Sequence, residues 1–175
     1  MSQTSPIRRV TIFCRNIEKS LKLYRDILGF TVIEKKTIKT QEFSTLMNIK
    51  DKEAFIDICY LQSNDKEDGL IALFKLNSKE IPMTKVEFKN SIEYGQSVIV
   101  LYTQKFDEIY EKLRGKDYHF LIEPTTYHKT EDSPYVKAGR FKEMMFYDPD
   151  GQLVDLVQQD TWSINRQTER LSSQN

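Results

Sequence analysis

The sequence has no excess of charge of either sign. Lysine and arginine together number 26, aspartate and glutamate also 26, and the formal net charge is +0 with a pI near 6.7. A nucleic-acid binder needs a basic excess or stripe, so that class is excluded, as is a partner captured mainly by charge. No apolar run approaches the roughly 20 residues of a membrane-spanning helix. The polar stretch Met1 to Pro6 lacks the charged start and apolar run of a secretion signal, so a cytoplasmic location is the expectation. There are only two cysteines, Cys14 and Cys59, each inside an apolar strand-like run. They read as reduced, buried thiols rather than a disulfide framework. Glycine loops for phosphate or dinucleotide binding are missing, and Gly95-Gln96-Ser97-Val98-Ile99 lacks the second glycine of a nucleophile elbow.

What is present is an ordinary globular composition, 39% hydrophobic and 30% charged over 175 residues. A chain of this length buries roughly 70% of its surface on folding and needs neither metal nor disulfide for stability. The run Val10 to Cys14 predicts a strand, and Asn16 follows as a helix N-cap. Ile17, Leu21, Tyr24 and Leu28 then recur as one helical stripe, and Gly29 takes the position after its end. Strands are expected over Phe30 to Lys36, Ala54 to Leu61 and Leu70 to Leu76, with a polar hairpin loop from Asn64 to Gly69. Gln41 to Asn48 reads as either a short helix or a loop.

The order then repeats. Ser97 to Thr103 is a β-branched run, Phe106, Ile109, Tyr110 and Leu113 form a second helical stripe, and Gly115 ends it. This second helix is expected to be about one turn shorter than the first. Strands follow at Tyr118 to Glu123, Arg140 to Tyr147 and Leu153 to Gln158. Asp148-Pro149-Asp150-Gly151 carries the residues that a type I turn favours. The class is therefore α+β, two tandem βαβββ modules at 7–78 and 95–159, a linker at 79–94 and a tail or arm at 160–175 around Trp162. One helix cannot cover both faces of a four-stranded sheet, so two curved sheets with helices outside and a cleft within are expected.

Two segments, Ile17 to Phe30 (IEKSLKLYRDILGF) and Met145 to Leu156 (MFYDPDGQLVDL), resemble the helix-one signature and the final hairpin of the vicinal oxygen chelate superfamily. That superfamily includes glyoxalase I, extradiol dioxygenases, and fosfomycin- and bleomycin-resistance proteins. The resemblance covers about residues 7 to 159. It implies four strand positions that hold a divalent metal in the family's enzymes, and these fall on Arg9, near Ala72, near Val98 and on Asp155. Only Asp155 can donate to a metal, and a catalytic ion needs about three protein ligands. No cofactor is expected, with a divalent metal as the alternative. The two histidines, His119 and His128, lie at neither kind of position.

Alternation from those positions assigns the inward faces. Arg9 brings Thr11 and Phe13, Ala72 brings Phe74, and Val98 brings Val100 and Tyr102. Asp155 brings Leu153 and Val157. The resemblance also implies that Met145 faces inward, and Glu143 and Phe141 then share its face. The implied ligand-binding set is mostly apolar, with Arg9, Thr11, Tyr102, Glu143 and Asp155 as its polar members. Arg9 is expected to pair with Asp155 or Glu143, because a buried charge requires a partner, to hold a ligand's anionic group bidentately, or simply to stand exposed at the strand start. The expected function is metal-free binding of a small, mainly apolar molecule. The alternative is a lyase, isomerase or dioxygenase relative that uses a divalent metal or acid–base chemistry by Glu143 or Asp155. The resemblance also implies a homodimer.

Overall fold

The computed structural model describes residues 3–63, 69–83 and 85–160. The expected hairpin loop from Asn64 to Gly69 lies largely, and the arm around Trp162 almost wholly, outside them. The described elements run β1 (Arg9–Phe13), α1 (Ile17–Tyr24), β2 (Thr31–Ile38), α2 (Gln41–Leu46), β3 (Phe55–Gln62), β4 (Leu70–Asn77), β5 (Val98–Tyr102), α3 (Phe106–Arg114), β6 (Phe120–Lys129), β7 (Gly139–Tyr147) and β8 (Leu153–Gln159). They form two four-stranded sheets of the same topology, β1-β4-β3-β2 and β5-β8-β7-β6. In each sheet the first strand runs parallel to its neighbour and the remaining pairs are antiparallel. The chain divides into two compact units. The first runs to Glu87 and includes Asp148–Gly151; the second takes Phe88–Tyr147 and the chain from Gln152 through β8.

In the first unit, Asn16 Oδ1 accepts the Lys19 N–H at 3.0 Å and caps α1 as expected. The buried stripe is wider than Leu21 and Tyr24 alone, because Ser20 and Leu23 are fully buried beside them. Past Tyr24 the backbone opens into a broader turn. The N–H groups of Ile27 and Leu28 both reach the Leu23 carbonyl, at 3.1 and 2.9 Å, before Gly29 reverses the chain at φ +81°. The segment 41–48 resolves as α2, capped by Thr40, whose hydroxyl accepts the Phe43 N–H at 3.1 Å. Phe43 packs on Ile56, Ile58, Ala72 and Phe74, so α2 covers part of the face that Ala72 and Phe74 share.

The turn Asp148–Gly151 is knitted into the first unit. Gly151 N–H donates to the Asp148 carbonyl at 3.1 Å, and Gly151 sits at φ +89°. A Cβ there would also meet Val86 at 3.2 Å, so glycine is required on two grounds. Fully buried Asp148 accepts the Tyr24 hydroxyl at 2.9 Å and the Asp150 N–H at 2.8 Å. Asp150 in turn accepts the Arg15 N–H at 2.8 Å, the Arg15 guanidinium at 3.0 Å and the Ser20 hydroxyl at 3.1 Å. Both cysteines are free and buried. Burial pushes the Cys14 thiol up to about 12 and raises Cys59 as well, so neither supplies a thiolate at neutral pH.

In the second unit, α3 buries Phe106, Ile109 and Leu113, each worth about 1.5–3 kcal/mol. It has nine residues against eight in α1, so the expectation of a shorter second helix is wrong. The stripe from Ile17 to Leu28 overstated α1, whose last turn is not helical. The strand expected to end at Glu123 is also longer and runs through Pro124 to Lys129. Proline is tolerated because β6 is an edge strand and its pairing with β7 shifts register on either side of it. Among the described residues no helix is long and apolar enough to cross a membrane.

Candidate functional site

The sheet of the second unit has two unlike faces. One is covered by α3. The Tyr110 ring lies 5.5 Å from Phe120, and Lys142 Nζ pairs with Asp107 while lying 5.0 Å from the Phe106 ring. The strand register puts Val154, Phe146 and Phe120 in one row of that face and Leu156 and Met144 in the next. The opposite face carries Val100, Asp155, Met145 and Ile122 in one row, then Tyr102, Val157, Glu143 and Thr125, then Gln159, Phe141 and Tyr127. Val98 stands beside Leu153 on the same face. The expected second-module residues Val98, Val100, Tyr102, Glu143, Met145 and Asp155 are therefore brought together. The face is open as well as apolar: Val100 is 53% exposed and Ile122 37%.

Asp155 is the chemical centre of this face. It stands on β8, a central strand, and is 6% exposed. Its Oδ1 is buried with no hydrogen-bond partner among the described residues. Burial, then the negative charge of Glu143, and then a hydrogen bond shared with Glu143 raise the Asp155 carboxyl to about 7 from an ordinary 3.8. Asp155 therefore retains a proton near neutrality. Tyr127 donates its hydroxyl to Glu143 Oε2 at 2.7 Å, and its ring stacks on Phe141 at 5.2 Å. Burial first, and the Glu143 hydrogen bond second, push the Tyr127 hydroxyl well above its usual range, so it remains a donor. Burial and the charges of Asp155 and Glu143 raise Tyr102 too.

The first-unit residues expected at the site also share a face. Arg9, Thr11 and Phe13 alternate along β1 beside Leu70, Ala72 and Phe74 of β4, with Tyr60 beyond Ala72 on β3. Arg9 Nε donates to Thr11 Oγ1 at 3.3 Å, and its guanidinium lies 5.6 Å from the Tyr60 ring centre and 5.9 Å from that of Phe74. Phe13 meets Phe74 edge to face and is 55% exposed. A hydroxyl and two rings thus surround the Arg9 guanidinium.

Three contributors were missed by the sequence reading. Tyr127 lies on the part of β6 beyond Pro124, which hid the continuation of the strand, while Ile122 lies inside the expected strand but was assigned to no face. Tyr60 lies on β3, and alternation from Ile56 and Ile58 would have found it. His119 stacks on Phe88 at 5.1 Å, and His128 pairs with Arg140 along the β6 edge.

The first unit also bears a groove of about 520 Å³ between the start of α1 and strands β2, β3 and β4. Its polar groups largely satisfy one another: Lys35 pairs with Glu18, Asp57 accepts Thr37 and Asn77, and Asn16 caps the helix. Nothing there matches the unpartnered, buried carboxyl oxygen of the second unit.

The residues at the family's ligand positions do not fit a divalent ion. Arg9 is a cation that donates, and Ala72 and Val98 have no donor atom, leaving Asp155 alone. No group of three or more His, Cys, Asp or Glu side chains is placed to hold a metal among the described residues.

The fold is found in solved structures. A glyoxalase family protein from Bacillus cereus aligns over 91% of this chain and 98% of its own, at 13% identity and a TM-score of 0.65. The trypanothione-dependent glyoxalase I of Leishmania major aligns over 98% of each chain, at 13% identity and a TM-score of 0.54. At such identities the likeness speaks for the fold alone. No curated sequence matches the chain. The family model described as Glyoxalase/Bleomycin resistance protein/Dioxygenase superfamily matches residues 7–156, and the chain therefore belongs to that superfamily.

Proposed function

We propose that the protein binds a small, mainly apolar molecule on the open face of its second module, and does so without the superfamily's divalent metal. The observation that supports this reading is an open, largely apolar sheet face built around buried Asp155 and half-buried Glu143. Such faces gain affinity from buried area and take orientation from a few polar groups. Val98, Val100, Met145 and Ile122 supply the area, and Asp155, Glu143, Tyr127 and Tyr102 supply the polar groups.

The test is calorimetric titration with naphthalene-sized aromatic probes. Val98→Trp and Val100→Trp, which fill the face with indole rings, should each weaken binding about tenfold or more. Binding unchanged in both variants would refute the face as the site.

The metal-free part has its own test. Elemental analysis of the dialysed protein should find far less than one Zn, Ni, Mn or Fe per chain. A stoichiometric ion would overturn the reading.

A second reading is favoured by one observation: Asp155 is held at about 7, where a carboxyl works as general acid or base near neutral pH. On that reading the protein is a metal-free lyase or isomerase acting through Asp155 and Glu143. Mass spectrometry of ligand recovered after prolonged incubation separates the two, since a binder returns its ligand unchanged.

A further inference from the structure

We propose that the Asp155–Glu143 pair recognises a basic nitrogen, so that the open face of the second module takes a small apolar amine in its protonated form. The inference rests on the reading of that face as the binding surface, and it names the chemistry of the ligand.

Three observations carry it. First, Asp155 is 6% exposed and its Oδ1 accepts no hydrogen bond among the described residues. A buried acceptor of this kind is normally satisfied, and leaving it unpaired is costly. Second, Glu143 stands diagonally from Asp155, in the next row of the same face on the neighbouring strand, and Tyr127 donates to it. The two acids therefore stand together on one face. Third, among the described residues no cation stands in their rows of the face. Lys142 and Arg140, the basic residues of β7, alternate onto the other face, where Lys142 is engaged by Asp107. The row around Asp155 is Val100, Met145 and Ile122.

An ammonium reaching the pair as the Asp155 side chain turns Oδ1 toward the open face would satisfy the orphan acceptor, offset the like-charge repulsion of the pair and leave its hydrocarbon part on the valine and methionine side chains. Charge-assisted bonds of this type are shorter and stronger than neutral ones. A carboxylate ligand would meet repulsion at the same point, and a neutral alcohol would gain only an ordinary hydrogen bond.

The test uses the full chain near neutral pH, with 1-naphthylmethylamine, its neutral counterpart 1-naphthylmethanol, and 1-naphthoate as probes. The amine should bind about tenfold or more tightly than the alcohol, as one charge-assisted hydrogen bond implies. Asp155→Asn and Glu143→Gln should each lower the ratio of amine to alcohol affinity toward one. Val100→Lys puts an ammonium beside the pair at a half-exposed position that tolerates it, and should abolish the amine preference even if the two buried substitutions disturb folding. Equal binding of amine and alcohol, or tightest binding of the naphthoate, overturns the inference and leaves the apolar-binding reading standing. So does an amine preference that survives all three substitutions. If none of the probes binds at millimolar concentration, both readings fall together.

Discussion

Asp155→Asn should stabilise the protein by on the order of 2–4 kcal/mol above about pH 8 and change it little near pH 4. The folded Asp155 carboxyl stands near 7, above its ordinary 3.8, because burial and the neighbouring Glu143 disfavour its charge. Between those two values the folded protein holds a proton that the unfolded chain releases. The stability this group contributes is fully present below about pH 4 and is lost as pH rises through about 7. The separation of the two values, at about 1.4 kcal/mol per unit, sets the upper end of the expected change. Asparagine removes the charge, keeps the shape and can still donate to Glu143, so the variant should lose this part of the pH dependence. Urea denaturation at several pH values measures it directly. A native stability that is flat between pH 4 and 8, or an Asn variant no more stable than native at the alkaline end, would show that the pair is not strained.

The second large effect concerns the turn of the β7–β8 hairpin. Asp148→Ala should destabilise the protein by about 3–5 kcal/mol, the range for removing one member of a buried charged network. Asp148 is fully buried and accepts both the Tyr24 hydroxyl and the Asp150 N–H. Alanine would leave both donors without this acceptor. It would also loosen Asp150, which holds Arg15 and Ser20. Tyr24→Phe deletes only one of the bonds and should cost about 1.5–3 kcal/mol. Thermal or chemical denaturation checks both. A loss below about 1 kcal/mol for Asp148→Ala would mean that water replaces the network.

Much of the fold was legible because its signals are local. Asn16, the spacing from Ile17 to Tyr24, and the Asp-Pro-Asp-Gly turn each act within a few residues, and the structure places them as read. The errors came where a local signal misleads about a nonlocal outcome. Leu28 extends the helical stripe, yet the backbone has already widened at Leu23. Pro124 reads as a strand end, although an edge position absorbs it. At the candidate site, alternation along β5, β7 and β8 grouped Val98, Val100, Tyr102, Glu143, Met145 and Asp155 on one face. That grouping took its starting positions from the family resemblance and extended them along each strand by the pleat. Which groups meet on a face does depend on register. Glu143 and Asp155 sit about a dozen residues apart on adjacent strands, and nothing in either strand announces that they occupy neighbouring rows of one face. The ring contacts of Arg9 with Tyr60 and Phe74 likewise depend on strand pairings that the sequence does not display.

The most direct test of the account is nuclear magnetic resonance on methyl-labelled protein titrated with 1-naphthylmethylamine. The account predicts that the methyl signals of Val98, Val100, Ile122 and Met145 move together and saturate at one ligand concentration. Shifts confined to Ile17 and Ile58, which line the groove of the first unit, with the second-module methyls unmoved, would contradict it.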